Sequence, residues 1–218
     1  YGELINTYGY NLEPGSKELT ALNYYTNEEI TIPLDPTQTP GENAQRYFAK
    51  YNKQKRTFEA LTELIQETAD DIQYLESISN ALDIALSEAD LAQIKEELMQ
   101  SGYIRRKHTK KKVKLTSKPM HYISSDGYDM YVGKNNLQNE ELTFSFANGN
   151  DWWFHAKGAP GSHVIVKSGG DELPDRTFEE AGRLAAYYSK NRGADKVEID
   201  YIQKKHVKKP NGAKPGFV

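Results

Sequence analysis

Apolar residues recur every seven positions through one long segment of the chain. Two interleaved series carry this pattern: Phe58, Ile65, Ile72 and Ser79, and Leu61, Thr68, Leu75 and Leu82. A period of 3.5 residues is the signature of a coiled coil. It predicts a helix of roughly 45 residues, nearly 70 Å long. Such a helix needs a partner, either a second chain that associates with it or an upstream segment of the same protein.

The ends of this helix carry start and stop signals. Thr39 is a plausible N-cap, Pro40 fits the first helical position, and Glu42 stands where a capping box needs its acid. Ser87 and Asp90 begin a shorter helix that ends near Gly102. The apolar stripe Leu91, Ile94 and Leu98 predicts that this second helix folds back on the first.

The segments on either side of the two helices have strand patterns. Before the arm, residues 28–34 alternate like a half-buried strand, and residues 23–26 are its expected hairpin partner. After the arm, Asp126-Gly127 separates two alternating runs, which predicts a second hairpin. The remaining predicted elements are a helix over 135–146, strands over 152–156, 162–166 and 196–207, and a helix over 177–190 capped by Thr177 and Glu180.

Together these patterns predict an α+β protein. A long coiled-coil helical arm carries a small β-rich tip and is followed by a compact mixed α+β domain. We place the boundaries at residues 1–36 for the tip, 37–103 for the arm and its return helix, and 104–218 for the α+β domain. We expect that domain to be cut short at its C-terminal end, since the chain stops in the apolar pair Phe217-Val218.

Charge divides the chain in the same way. Residues 1–103 contain 7 Lys and Arg against 18 Asp and Glu, a net charge of −11, whereas residues 104–218 contain 21 against 13, a net charge of +8. Blocks of opposite sign indicate different partners, and the positive block is the one suited to phosphates. A mean hydropathy of −0.78 fits an extended polar element. The absence of cysteine excludes disulfides, thiolate zinc sites and cysteine nucleophiles.

The positive charge is concentrated in two clusters, one at residues 104–118 and one near the C-terminus. Crowded cations repel one another, and a polyanion relieves that repulsion by releasing its own counterions. A solvated hinge and a membrane surface are the alternatives, although no basic amphipathic helix supports the membrane. The predicted nucleic-acid-binding residues are Arg105, Arg106, Lys107, Lys110, Lys111, Lys112, Lys157, Lys204, Lys205, Lys208, Lys209 and Lys214.

An aromatic run, Trp152-Trp153-Phe154, lies beside a glycine loop and two histidines. Aromatic rings next to cations can stack on bases, but adjacent bulky residues on a strand more often fill the core on both faces, and we favour the core for the tryptophans. Lys157 and the glycine loop, whose backbone N–H groups suit a phosphate, stay open between the two roles.

Residues that could do chemistry do not form a recognisable set. His155 and His163 lack metal-ligand spacing, and neither phosphate-loop nor nucleophile-elbow motifs occur. We therefore expect no catalytic residues, no metal and no cofactor, and a binding protein rather than an enzyme.

Several short motifs in the second half resemble one known domain. They are Ser125-Asp126-Gly127-Tyr128, Val132-Gly133-Lys134-Asn135-Asn136, Asn150-Asp151-Trp152-Trp153-Phe154-His155, Pro160-Gly161-Ser162-His163-Val164, Ala185-Ala186-Tyr187-Tyr188-Ser189-Lys190 and Lys208-Lys209-Pro210-Asn211-Gly212-Ala213-Lys214-Pro215-Gly216-Phe217-Val218. This ordered series resembles the NFACT-R domain. Upstream, Tyr1-Gly2-Glu3-Leu4, Ile32-Pro33-Leu34-Asp35 and Glu42-Asn43-Ala44-Gln45-Arg46-Tyr47-Phe48 resemble the middle tip and second coiled-coil arm of the same proteins. The bacterial group is the RqcH family, also called fibronectin/fibrinogen-binding protein A.

The resemblance implies a cytoplasmic ribosome quality-control factor for the rescue of stalled ribosomes. Family members bind a 50S subunit obstructed by peptidyl-tRNA and recruit alanyl-tRNA, so that an alanine tail is added to the stalled nascent chain. The family's tRNA-selecting NFACT-N domain and first coiled-coil helix would precede Tyr1, which makes that helix the expected coiled-coil partner. The older family name implies the alternative, a Gram-positive surface adhesin that binds fibronectin or fibrinogen and is displayed on the cell.

Overall fold

The computed structural model describes residues 1–105 and 117–218 and divides the chain into two compact units, Tyr1–Ala69 and Asp70–Val218. Both helices and antiparallel strands are present, so the predicted α+β class is confirmed. Among the helices of these described residues, none is both long enough and apolar enough to cross a membrane. The domain boundaries at residues 36 and 103 stay predictions.

The first unit begins with a helix, α1 (Gly2–Tyr8), which the sequence patterns did not predict. Strands β1 (Glu18–Asn23) and β2 (Glu28–Pro33) pair antiparallel, and helix α2 (Pro40–Ile84) follows. The predicted strand partner at residues 23–26 is wrong, because the side chain of Asn23 accepts the backbone N–H of Tyr25 at 3.1 Å and begins a turn there. The core of the unit contains Leu4, Ile5, Leu19, Ala21, Ile32 and Ala44.

Helix α2 begins as its sequence predicts. Glu42 Oε2 accepts the backbone N–H of Thr39 at 2.7 Å, and the N–H of Glu42 donates to Thr39 Oγ1 at 3.3 Å, which completes the capping box. The helix is 45 residues long. Its heptad positions are open to solvent, with Phe58 72% and Ile65 68% exposed. The coiled-coil partner for this stripe stays a prediction.

The second unit begins with the last part of α2 and helix α3 (Glu88–Gln100). Ser87 and Asp90 form the predicted capping box at the start of α3. Ile94 on α3 packs against Tyr74, Ile78 and Ala81 of α2. The prediction that the second helix folds back on the first is therefore confirmed.

A five-stranded antiparallel sheet forms the rest of the unit. Its strands are β3 (Met120–Ile123), β4 (Asp129–Val132), β5 (Trp152–Ala156), β6 (Val164–Val166) and β7 (Ile199–Gln203), and their order across the sheet is β3-β4-β6-β5-β7. The hairpin β3–β4 turns at Asp126-Gly127, as predicted, and Gly127 has the positive φ of +89° that this turn requires. Strands β3 and β7 are the two edges.

Helices cover both faces of this sheet. Helix α5 (Asp175–Tyr187) packs on one face, and α4 (Asn136–Glu141), which continues into a π-helical turn (Leu142–Phe146), packs on the other. Thr177 is not the N-cap of α5. The helix begins at Asp175, and the buried Thr177 hydroxyl donates to Asp126 Oδ2 at 2.7 Å instead.

Candidate nucleic-acid interface

The first basic cluster falls mostly outside the described residues. Arg106, Lys107, Lys110, Lys111 and Lys112 all lie there, and Arg105 is exposed at the last position before them. Their role as RNA ligands stays a prediction.

Both sequence flanks of this cluster contact helix α3. On one side, the backbone N–H groups of Tyr103 and Ile104 donate to the carbonyl of Leu98, at 2.9 and 3.2 Å. On the other side, the Ser117 hydroxyl donates to Asp90 Oδ1. Helix α3 therefore contacts the chain at Tyr103 and Ile104 and again at Ser117, on either side of residues 106–116 in sequence.

Asp90 is the centre of a buried polar network that sequence reasoning did not find. Its carboxylate is 1% exposed and lies 2.6 Å from the Nζ of Lys134. Burial raises the pKa of Asp90, but donors from Lys134, Ser117 and the backbone of Leu86 outweigh burial and hold the pKa well below its ordinary range. The network ties α3 to the loop that precedes α4.

The second basic cluster follows edge strand β7. Lys204 is half-buried, and Lys205 and Lys208 are exposed. The backbone N–H of Lys204 donates to Asp151 at 2.8 Å, and that of Lys205 donates to Gly149 at 3.0 Å. These bonds fix the turn after β7 and leave its lysine ammonium groups available at the end of the sheet.

Two predicted ligands of the second cluster have close partners within the unit. Lys209 Nζ lies 2.6 Å from Glu140 Oε1. Lys214 Nζ lies 2.6 Å from Asp71 Oδ1 and 4.4 Å from the centre of the Tyr74 ring. Burial lowers the pKa of Lys214, but Asp71 and Tyr103 more than compensate, so the pKa is raised overall. These two lysines hold the C-terminal segment against α2 and α4, so an RNA phosphate would have to compete with their present partners.

Lys157 is exposed, and its Nζ lies 3.2 Å from Glu198 Oε2. The glycine loop that follows it has a packing role. A Cβ on Gly161 would lie 2.9 Å from the Cβ of Ser189, so only glycine allows this approach. The backbone N–H of Ser162 donates to Tyr188 at 3.0 Å. The backbone N–H of Ser162 is therefore already hydrogen-bonded within the fold.

The aromatic run on β5 lies in the core, as the sequence favoured. Trp153 is 6% exposed and Phe154 is 1% exposed, and the two side chains point to opposite faces of the sheet. Trp152 packs edge-on against Phe178 of α5, with ring centres 4.7 Å apart.

One of the two histidines beside this run, His163, is held inside the fold. His163 is 1% exposed, and its Nδ1 lies 2.7 Å from the Thr143 hydroxyl. Burial lowers the pKa of His163 far below its ordinary value, and the nearby His155 lowers it further. Among the described residues, no group of three or more His, Cys, Asp and Glu side chains could hold a metal ion.

Comparisons with known families match residues 1–216 of the chain. Residues 1–117 match the family model described as NFACT N-terminal and middle domains, and residues 118–216 match that described as NFACT protein RNA binding domain.

Curated relatives and a solved structure agree with these matches. The Rqc2 homolog RqcH of Streptococcus pneumoniae is 46% identical, and that of Bacillus subtilis is 44% identical, over the whole of this chain. The chain spans 39% of the length of each of these relatives. A solved structure, the C-terminal part of the fibronectin/fibrinogen-binding protein from Streptococcus suis, has a TM-score of 0.74 at 46% identity, over 83% of this chain and 72% of that one.

Proposed function

The chain belongs to the NFACT family, and from that premise we propose that it is the RNA-binding part of a bacterial ribosome quality-control factor. Its role is to hold an obstructed 50S subunit and tRNA in place while the ribosome adds an alanine tail to the stalled nascent chain. The observation that carries this proposal is the match of residues 118–216 to an RNA-binding domain. The net charge of +8 on residues 104–218 supports the same partner, because that charge suits a polyanion.

The protein acts by binding, and the ribosome does the peptide transfer. His163 supports this role, since it is buried and burial lowers its pKa well below the ordinary value. A buried imidazole hydrogen-bonded to Thr143 is positioned for packing rather than for proton transfer to a substrate.

The adhesin alternative is not favoured. The words fibronectin- and fibrinogen-binding describe the protein from Streptococcus suis, whereas the family models that match this chain describe an RNA-binding domain. Binding to host matrix and display on the cell surface therefore rest on the older family name.

Co-sedimentation with purified ribosomal particles tests the proposal. The chain is expected to pellet with 50S subunits obstructed by peptidyl-tRNA, and to pellet less with 30S subunits at the same ionic strength. Competition with free tRNA is expected to reduce the pelleted fraction. Equal recovery with both particles, or no recovery with either at low salt, would contradict the proposed role.

A further inference from the structure

One edge of the five-stranded sheet carries a row of partly exposed aromatic side chains. His121 of β3 lies parallel to Tyr131 of β4, with ring centres 4.7 Å apart and planes at 16°. Tyr131 meets Phe146, at the end of the π-helical turn, edge-on at 4.7 Å. We call these three side chains the aromatic row.

The aromatic row is open to solvent on one side. The His121 side chain is 46% exposed and Phe146 is 41% exposed, while Tyr131 is half-buried against the core of the α4 face. His121 and Tyr131 alternate with Met120, Tyr122, Met130 and Val132, which face α5. The strand period thus places His121 and Tyr131 on the face opposite α5.

One lysine lies beside the Phe146 ring of the aromatic row, and two more lie at the other edge of the sheet. Lys167 Nζ lies 4.8 Å above the centre of the Phe146 ring. An ion pair with the buried carboxylate of Asp151 holds this ammonium in place. Lys204 and Lys205 follow β7, the edge strand opposite to β3, and their backbone N–H groups donate to the carbonyls of Asp151 and Gly149. In sequence, the basic run of residues 104–118 ends two residues before β3 begins. Asp129, which pairs with His121 at 2.6 Å, is the opposing charge.

This inference rests on the proposed function, which requires RNA as the ligand. Exposed rings beside cations suit the unpaired parts of such an RNA. Unpaired bases stack on aromatic faces, and their phosphates are held by nearby lysines, whereas the bases of a duplex are already stacked on each other. We propose that the aromatic row is a stacking site for unpaired nucleotides, with Lys167, which is paired with Asp151, as the cation beside the Phe146 ring, and with Lys204 and Lys205 as phosphate ligands further along the RNA strand. The site gives the domain a preference for single-stranded or looped RNA over duplex RNA.

Paired variants of the 218-residue chain test this site. Fluorescence anisotropy measures binding to a labelled single-stranded oligoadenylate and to a blunt RNA duplex of equal charge. The double substitution His121→Leu with Phe146→Leu keeps apolar bulk but removes the stacking rings. It is expected to weaken single-strand binding about tenfold, the effect of losing roughly one stacked base, and to leave duplex binding within about twofold of wild type.

Two controls make the result specific. Tyr187→Leu removes a more exposed ring, 61% exposed on α5, and is expected to change neither affinity. His121→Tyr with Phe146→Trp keeps aromatic faces and is expected to restore single-strand binding. Equal losses on both RNAs, or the same loss in Tyr187→Leu, would overturn the site.

A measurement on the wild-type chain keeps the proposal falsifiable if the variants fold poorly. Photo-crosslinking to a single-stranded RNA that carries 5-iodouridine is expected to label peptides that contain His121, Tyr131 or Phe146. Labelling confined to other peptides would overturn the aromatic row while leaving RNA binding itself intact. If the wild-type chain binds neither RNA at low salt, the proposed function fails and the stacking site fails with it.

Discussion

The ammonium of Lys134 lies 2.6 Å from the carboxylate of Asp90, 44 residues earlier in the chain, and Asp90 is only 1% exposed. This ion pair links the N-terminus of α3 to the loop before α4. The same carboxylate accepts the hydroxyl of Ser117, which follows residues 106–116 directly in sequence. A buried contact therefore holds the chain at Ser117.

Substitution of Lys134 should therefore lower the free energy of unfolding far more than substitution of an exposed lysine whose ammonium lies equally close to a carboxylate. Lys134→Met leaves a buried carboxylate unpaired and is expected to lower the free energy of unfolding by about 3–5 kcal/mol. Lys190→Met is the matched control, because its Nζ also lies 2.6 Å from a carboxylate, that of Glu76, but the two side chains are 54% and 43% exposed. The free energy of unfolding of Lys190→Met is expected to fall by less than about 1 kcal/mol. Urea denaturation compares the two, and equal losses would contradict the assigned role of the buried pair.

Glu97 should respond to pH in the opposite direction to Asp90. It is fully buried, one of its oxygens has no hydrogen-bond partner, and burial raises its pKa. A raised carboxyl pKa means that the group's contribution to stability is present below its unfolded pKa of about 4.3 and is lost as pH rises through the folded pKa. Glu97→Gln mimics the protonated acid, so it is expected to stabilise the protein by on the order of 1 kcal/mol at neutral pH.

The pH dependence of unfolding checks this prediction. The advantage of Glu97→Gln should shrink as the pH is lowered and disappear below about pH 4, where the wild-type acid is itself protonated. Glu172→Gln, at an exposed position of a loop, is the control and should change little at any pH. A Glu97→Gln variant that is less stable than wild type at neutral pH would show that the charged form is the favoured one.

The C-terminal segment should loosen when its ion pair is removed. Lys214 lies against the rings of Tyr74 and Tyr103 and pairs with Asp71. Asp71→Asn keeps the lysine but removes its partner, so amide exchange in residues 210–218 is expected to rise about fivefold, the effect of roughly 1 kcal/mol. Exchange in β5 and β6 should not change. The same variant should bind RNA at least as well as wild type, because the Lys214 ammonium is released.

His163 should prove to be a stability residue. His163→Ala removes a buried ring and its bond to Thr143, and is expected to lower the free energy of unfolding by about 3 kcal/mol. Thr143→Val removes the same hydrogen bond with little change of volume and should cost about 1 kcal/mol. RNA affinity per folded molecule should be unchanged in both variants. A His163 variant of wild-type stability that loses a hydrolytic or nuclease turnover would contradict the binding role and favour an enzyme.

Local signals in the sequence predicted many of the elements. Thr39 and Glu42, Ser87 and Asp90, and Asp126-Gly127 each act within four residues, so their geometry follows from the chain itself. Thr177 carried an equally good capping signal, yet its hydroxyl bonds to Asp126, 51 residues away. A motif cannot reveal a partner that only the fold brings near.

The candidate site was harder to predict for the same reason. Composition indicated basic clusters, but it could not show that Lys209 and Lys214 are paired with Glu140 and Asp71. Nor could it place His121 on Tyr131, since single aromatic residues on two short strands carry no pattern of their own. Such contacts depend on strand register and on the π-helical turn that positions Phe146.

The salt dependence of tRNA binding tests the central claim most directly. The substitution of Arg105, Arg106, Lys107, Lys110 and Lys111 by Gln is compared with the substitution of Lys17, Lys50, Lys53, Lys55 and Arg56, which removes the same charge from the acidic half. If residues 104–218 bind RNA, log K of the wild type falls linearly with the logarithm of the salt concentration. Five phosphate contacts contribute roughly −3 to −4 to the slope of that line. The first variant loses that part of the slope and the second keeps it. Equal slopes in all three proteins would contradict the account.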